Sequence, residues 1–233
     1  MTNNLILGYG QLGKELVVQT KWDYISRDKN SFDFCDIETY KKHMKNYDTI
    51  INCIANIDTY GDDKYNILKT NFSAVCDLVD YCNYSNKKLV HISSLYVYAE
   101  SSKPAKETDV PVHAKTWYSY SKLLADGYIE ARSKNYLIIR TCFKPYPCIY
   151  EWATIAQHGN FDYINKIATF IIKLIDGNAD GIFNVGTEAK TIYDLAMRTN
   201  KDVIKVDKMV HPLMPKDITA DVTKMIKFLE KYE

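Results

Sequence analysis

The chain has 233 residues, 46% of them hydrophobic, and sets 30 Lys and Arg against 29 Asp and Glu for a formal charge of +1. That length can bury a substantial core, as one large domain or one domain with a small appendage. The even charge balance and the lack of a lysine/arginine block exclude an electrostatic case for nucleic acid or an anionic membrane surface.

Asn4–Leu7 reads as a short apolar strand that runs into a glycine-rich turn, and Gln11–Thr20 as a helix. Residues 22–26 form a second strand and 37–46 a helix. Residues 47–55 carry the apolar continuity and β-branching of a buried strand. Leu68, Phe72, Val75, Leu78, Val79 and Cys82 give 65–85 helical periodicity. Residues 88–93 are another buried strand, 104–117 a polar loop with Pro104 and Pro111, 118–135 a long helix, and Tyr136–Thr141 a further buried strand. Residues 143–161, rich in proline and aromatics, read as a loop. A helix at 162–176, a strand at Gly181–Val185, a helix at 191–199 that Thr191 caps, a strand at 203–206 and a helix at 218–232 complete the chain. Alternating strands and helices predict an α/β fold with a doubly wound parallel sheet of Rossmann type. The expected division is a dinucleotide-binding core over 1–142 and a small substrate-binding portion over 143–233, packed on the core and not independent.

The six cysteines (Cys35, Cys53, Cys76, Cys82, Cys142 and Cys148) show no C-x-x-C spacing. Read as reduced, they fit a cytoplasmic protein. The first strand begins almost at once, leaving no room for a signal peptide, and no apolar run reaches the length of a membrane span. His43, His91, His113, His158 and His211 are dispersed, so no metal site is expected.

Gly8, Gly10 and Gly13 match G-x-G-x-x-G directly after a strand and at the start of a helix. In that context Gly8, Gly10, Gln11, Leu12 and Gly13 cradle a pyrophosphate at the helix N-terminus. The alternative is a glycine-rich β-α turn without a ligand. The second strand ends at Ser26-Arg27-Asp28, where the fingerprint places a ribose contact. Arg27 suits a 2′-phosphate and Asp28 a free ribose, which tips the expected cofactor to NADP(H) over NAD(H).

Tyr118 and Lys122 lie four apart on one helix face. A neighbouring ammonium and an oxidised nicotinamide ring both favour the phenolate and are expected to pull its pKa down from about 10. Such a pair, with the hydroxyls of Ser93 and Ser94 upstream, suits proton transfer to a carbonyl that accepts hydride. A surface helix pair and a strand-ending serine are the plain alternatives.

Taken together, Gly8-x-Gly10-x-x-Gly13, Asp36-Ile37, Asn52-Cys-Ile-Ala55, Ser93-Ser94-Leu-Tyr-Val-Tyr98 and Tyr118-x-x-x-Lys122 resemble the extended short-chain dehydrogenase/reductases. The most similar group is that of dTDP-4-dehydrorhamnose reductases and nucleotide-sugar epimerases. The resemblance implies that Tyr118 delivers a proton, Lys122 tunes Tyr118 and binds the nicotinamide ribose, and Ser94 holds the substrate oxygen. It places Asp36 and Ile37 at the adenine, although Asp36 could instead cap the next helix, and Ala55 and Asn71 on the cofactor side. Tyr96 joins Ser94 and Tyr118 as a substrate contact, and by their location beyond the strand ends so do Lys144 and Tyr146, with Tyr150 and Trp152 as further stacking candidates; the plain alternative is loop aromatics that close the core. The implied partner is a nucleotide sugar, and a homodimer is allowed. Relatives that dehydrate sugars carry an Asp-Glu pair where this chain has Leu95 and Tyr96, which argues against dehydration. A 4-keto reductase and an epimerase remain. The chain is short for the group, which suggests a trimmed substrate lobe and favours the reductase. A non-catalytic dinucleotide-binding subunit is the reading from another class.

Overall fold

The structure, a computed structural model, describes residues 3–100, 103–109, 111 and 113–231. Residues 110 and 112 of the expected polar loop, and Tyr232 at the expected end of the last helix, lie outside the described residues.

Six strands form one parallel sheet: β1 (Asn4–Leu7), β2 (Asp23–Ile25), β3 (Thr49–Asn52), β4 (Lys88–Ser94), β5 (Tyr136–Thr141) and β6 (Gly181–Val185). Their spatial order is β6-β5-β4-β3-β1-β2. The apolar runs make both sheet faces greasy, and strand alternation divides them. Leu5, Ile50, Leu89 and Ile138 meet one layer of helices through Val75, Leu78, Val79, Ala125 and Ile129. Ile6, Ile51, Val90, Leu137 and Ile139 meet the other through Leu12, Leu16, Ile167, Ile171 and Leu174. The longer helices are α1 (Gln11–Thr20), α2 (Ala74–Tyr84), α3 (Trp117–Arg132), α4 (Ile164–Asp176) and α5 (Thr223–Leu229). This is the doubly wound α/β architecture expected from the alternation.

Several local expectations differ from the structure. Residues 37–46 form two 3-10 turns, Ile37–Thr39 and Lys41–Met44, because Asp36 and Tyr40 interrupt the helix with extended or irregular backbone. The helix expected over 65–85 is broken by a π-helical turn, Lys69–Ser73, between Lys64–Leu68 and α2. Residues 143–161 hold short strands at Phe143–Lys144, Trp152–Thr154 and His158–Gly159. Each pairs with a later segment, as Trp152–Thr154 does with Ile204–Val206. The C-terminal helix is shorter than expected, since Asp217–Ile218 is a strand.

Residues beyond 142 both complete the sheet through β6 and build a third apolar cluster with the end of β4, where Tyr96, Tyr98, Phe161, Tyr163 and Ile218 are buried together. Among the described residues no helix is long and apolar enough to cross a membrane, and the six cysteines are free.

Candidate active site

The sheet reverses its winding between β1 and β3, and an open α/β sheet presents its cleft beyond the strand ends at such a point. Gly8 leaves β1 at φ +95°, in the region glycine enters without a Cβ penalty. A Cβ on Gly13 would lie 2.1 Å from the Gly8 carbonyl oxygen, so helix and turn meet there only because Gly13 has no side chain. Gly10 precedes α1 as an N-cap without a side-chain hydrogen bond, and nothing lies within 4 Å of where its Cβ would be. The first N–H groups of α1 are therefore uncapped at the positive end of the helix, beside open space.

A cleft of about 340 Å³ opens at this turn. It is lined by Gly10, Gln11 and Leu12, by Cys53 and Ala55 after β3, by Ser94 and Tyr96 after β4, by Tyr118 and Lys122 on α3, and by Cys142 and Lys144 after β5. Ser94 ends β4 and caps the following 3-10 turn, accepting from the Tyr96 N–H at 3.1 Å. Thr116 caps α3, accepting from the Ser119 N–H at 3.1 Å, which sets Tyr118 in the first turn with Lys122 one turn later.

Burial pushes the Tyr118 phenol up to about 12, and a hydrogen bond with Ser94 works against it. Burial pulls Lys122 down to about 8, with Asp126 and Cys53 opposing. The sequence led us to expect a phenol depressed by Lys122 and an oxidised nicotinamide together; in the protein alone burial is the larger effect and raises it. Burial disfavours the phenolate and outweighs the hydrogen bond with Ser94, while the Lys122 Nζ donates to the Ile92 carbonyl oxygen at 2.5 Å and stands 3.4 Å from His91 Nε2.

Two supports lie behind the cleft. Asn71, buried in the π-helical turn, accepts from the Asn56 N–H at 2.7 Å and donates to the Asn56 carbonyl at 3.0 Å and to Ser121 Oγ at 3.1 Å. It thereby ties the loop after β3 to α3 beside Lys122. Arg140, from β5, donates through Nε to Asp126 Oδ2 at 2.8 Å, and also to the Tyr98 hydroxyl. Ser93 lies close enough to favour the Asp126 charge, although its hydroxyl and Asp126 Oδ1 do not close a hydrogen bond.

The remaining candidates are placed elsewhere. Gly8 and Gly13 shape the turn without lining the cleft. Arg27 is exposed in a short helical turn, Arg27–Asn30, capped by Ser26. Asp36 caps the 3-10 turn that contains Ile37, accepting from the Glu38 N–H at 3.1 Å. Tyr146 is 56% exposed and packs edge-on against Tyr163, outside the cleft lining. The Tyr96 hydroxyl is taken up by Tyr60 at 3.2 Å and Gln157 at 3.3 Å, so Tyr96 offers a ring face more than a free polar group. A second cavity of about 650 Å³ shares Thr59, Tyr96 and Lys144 with the first and gathers Tyr60, Tyr150, Trp152 and Met214.

Sequence reasoning missed Cys53, Thr59 and Cys142 as lining residues, and His91 behind Lys122. For His91 a signal was present: it is the one ring nitrogen in an otherwise apolar stretch of a strand buried on both faces.

Residues 2–143 match the sequence profile of the family described as the RmlD substrate binding domain. No curated protein matches the chain. Among solved structures, a dTDP-4-dehydrorhamnose reductase from Clostridium acetobutylicum superposes with a TM-score of 0.83 at 21% identity, over 96% of this chain and 91% of that one. A dTDP-4-dehydrorhamnose reductase from Bacillus anthracis in complex with NADP gives 0.81 at 19% identity, over 100% and 99%. A Thermus thermophilus UDP-glucose 4-epimerase complexed with NAD gives 0.79 at 14% identity, over 96% and 92%.

Proposed function

The chain belongs to the family of the RmlD substrate binding domain, and from that premise we propose that it reduces a 4-keto-6-deoxy nucleotide sugar with NADP(H), preferred over NAD(H). One observation carries the reading. A single cleft joins the uncapped glycine turn to Ser94, Tyr118 and Lys122. The residues present fit a dinucleotide: the Cβ missing at Gly10 leaves room at the uncapped end of α1, where a diphosphate would meet free N–H groups. The resemblance to a reductase complexed with NADP, and the exposed Arg27 after β2, support the 2′-phosphate form.

A bound reduced nicotinamide supplies hydride to the keto carbon. The chain's own groups handle the oxygen. Ser94 donates a hydrogen bond to it, and Tyr118 gives it a proton as negative charge develops. A phenol held at about 12 stays protonated through neutral pH, which suits a donor to an alkoxide. Lys122, on the next turn, would hold the nicotinamide ribose. Arg27, Asp36, Ile37, Ala55 and Asn71 would frame or support the rest of the dinucleotide. Lys144 sits where the two cavities meet and can pair with a diphosphate, and Tyr150 and Trp152 supply rings for a base. Segments beyond residue 142, outside the sheet strand and helix they add to the core, thus supply the substrate side. Leu95 and Tyr96 bring no carboxylate to the cleft, which removes dehydration. The reading places the enzyme in the cytoplasm and allows a homodimer.

The test is consumption of NADPH, one equivalent per product, with a dTDP-linked 4-keto-6-deoxy sugar. An epimerase with retained NAD would instead change the sugar without net NADPH use. Full activity in Tyr118→Phe would remove Tyr118 from the reaction.

A further inference from the structure

We infer that Asn52 and His91 form a buried hydrogen-bonded relay that ends on Lys122 and couples its charge to the His91 tautomer, making His91 a positioning residue. Asn52 ends β3 and His91 lies opposite it on β4. His91 is 0% exposed and Lys122 is 1% exposed, so neither exchanges partners with bulk water.

The Ile54 N–H donates to Asn52 Oδ1 at 3.0 Å, which fixes which end of the amide points where. The other end, Nδ2, stands 3.3 Å from His91 Nδ1. An amide nitrogen only donates, so Nδ1 accepts and the single ring proton sits on Nε2. Nε2 in turn stands 3.4 Å from Lys122 Nζ. An ammonium has no lone pair, so in that state the contact sets N–H against N–H. An amine accepts, and the chain then runs unbroken from Asn52 through His91 and Lys122 to the Ile92 carbonyl.

With an ammonium the order reverses. Nζ donates to Nε2, the ring proton moves to Nδ1, and the Asn52 amide turns and gives up Ile54. His91 stays neutral in both states, because burial and the Lys122 charge hold its pKa well below the usual value. The other groups facing Lys122 are Asp126 on its own helix, neutralised by Arg140, the Cys53 thiol after β3, and Tyr118 a turn away. The titration that the relay governs centres at about 8. The change of charge lies beside Tyr118, so turnover carries it.

The bearing on turnover rests on the reductase reading, whereas the hydrogen-bond coupling does not. The first experiment therefore uses the ligand-free protein with 15N-labelled histidine, followed by NMR from about pH 6 to about pH 10. Nδ1 and Nε2 of His91 should exchange protonated and unprotonated shifts with a midpoint near Lys122's titration, and Lys122→Met should abolish the exchange. A single tautomer throughout, or an exchange that survives Lys122→Met, overturns the inference. The second experiment follows kcat against pH with NADPH and substrate. In Asn52→Asp the carboxylate accepts from Nδ1–H and favours the ammonium, so the limb assigned to Lys122 should rise by about one unit. A lower kcat with an unmoved limb would reduce His91 and Asn52 to structure alone and also overturn it. Should Asn52→Asp not fold, the wild-type spectra decide. Tautomer exchange without any NADPH-dependent turnover would sink the reductase reading and leave the coupling standing.

Discussion

Gly13 lies so close to Gly8 that a Cβ on the first would meet the carbonyl oxygen of the second at 2.1 Å, whereas Gly10 between them faces open space. The same substitution therefore has opposite consequences three residues apart. Gly13→Ala must push helix from strand and should cost about 1–3 kcal/mol in urea unfolding. Gly10→Ala should stay within about 1 kcal/mol of the wild type. It fills the space beside the first turn of α1, so calorimetry should show NADPH binding weakened at least about tenfold.

Removal of the Tyr118 hydroxyl should spare the cleft and stop the chemistry. Tyr118→Phe keeps the ring that packs edge-on against Tyr96, with centroids 6.5 Å apart. Loss of a positioned proton donor typically costs about 10²–10⁴-fold, and that drop should fall on kcat with NADPH affinity unchanged.

Lys122 predicts a pH-dependent stability whose sign can be worked out. Its folded pKa, about 8, lies below the usual 10.5. The unfolded chain therefore holds the extra proton across that window, and stability rises with pH between the two values. Below about 8 both states are charged and the burial cost, about 3 kcal/mol, is fully present. Lys122→Met should be more stable than wild type at neutral pH, and the advantage should shrink as pH climbs towards 10.5. Urea titrations of both proteins across that range check it.

Arg140 and Asp126 form a buried pair, 2% and 0% exposed. Arg140→Met strands a carboxylate in the interior and should cost about 3–5 kcal/mol. The double change with Asp126→Leu removes both charges and should recover most of that loss, which a double-mutant cycle in urea would measure.

Much of this arrangement was legible because its signals are local. The apolar runs of β3, β4 and β5, the glycine turn before α1 and the Tyr118–Lys122 spacing each declare themselves within a few residues. The π-helical turn around Asn71 did not, because Leu68, Phe72 and Val75 remain apolar whether or not one turn is widened. The strand at Trp152–Thr154 was hidden for another reason. Its partner, Ile204–Val206, lies about fifty residues away, and the 3 residues of Trp152–Thr154 are too few to show a period. The ring of His91 carries no sign of Lys122 in its neighbours along the chain. Only the stacking of α3 on β4 brings them together. The phenol's pKa was misjudged because sequence spacing shows that Lys122 is near Tyr118 and not how deeply both are buried.

β6 gives the chain an integrity that its two-part reading would hide. Severed after Thr141, the N-terminal piece would keep every glycine of the turn and the whole Ser94, Tyr118 and Lys122 set. It would also bare the free rim of β5, with Leu137 and Ile139 stripped of the cover that Ile171 and Leu174 provide. Such a rim recruits strands from other molecules. A fragment cut there should clump instead of working as a miniature dinucleotide binder, and grafting a new substrate half onto this scaffold would have to carry a sixth strand along with it.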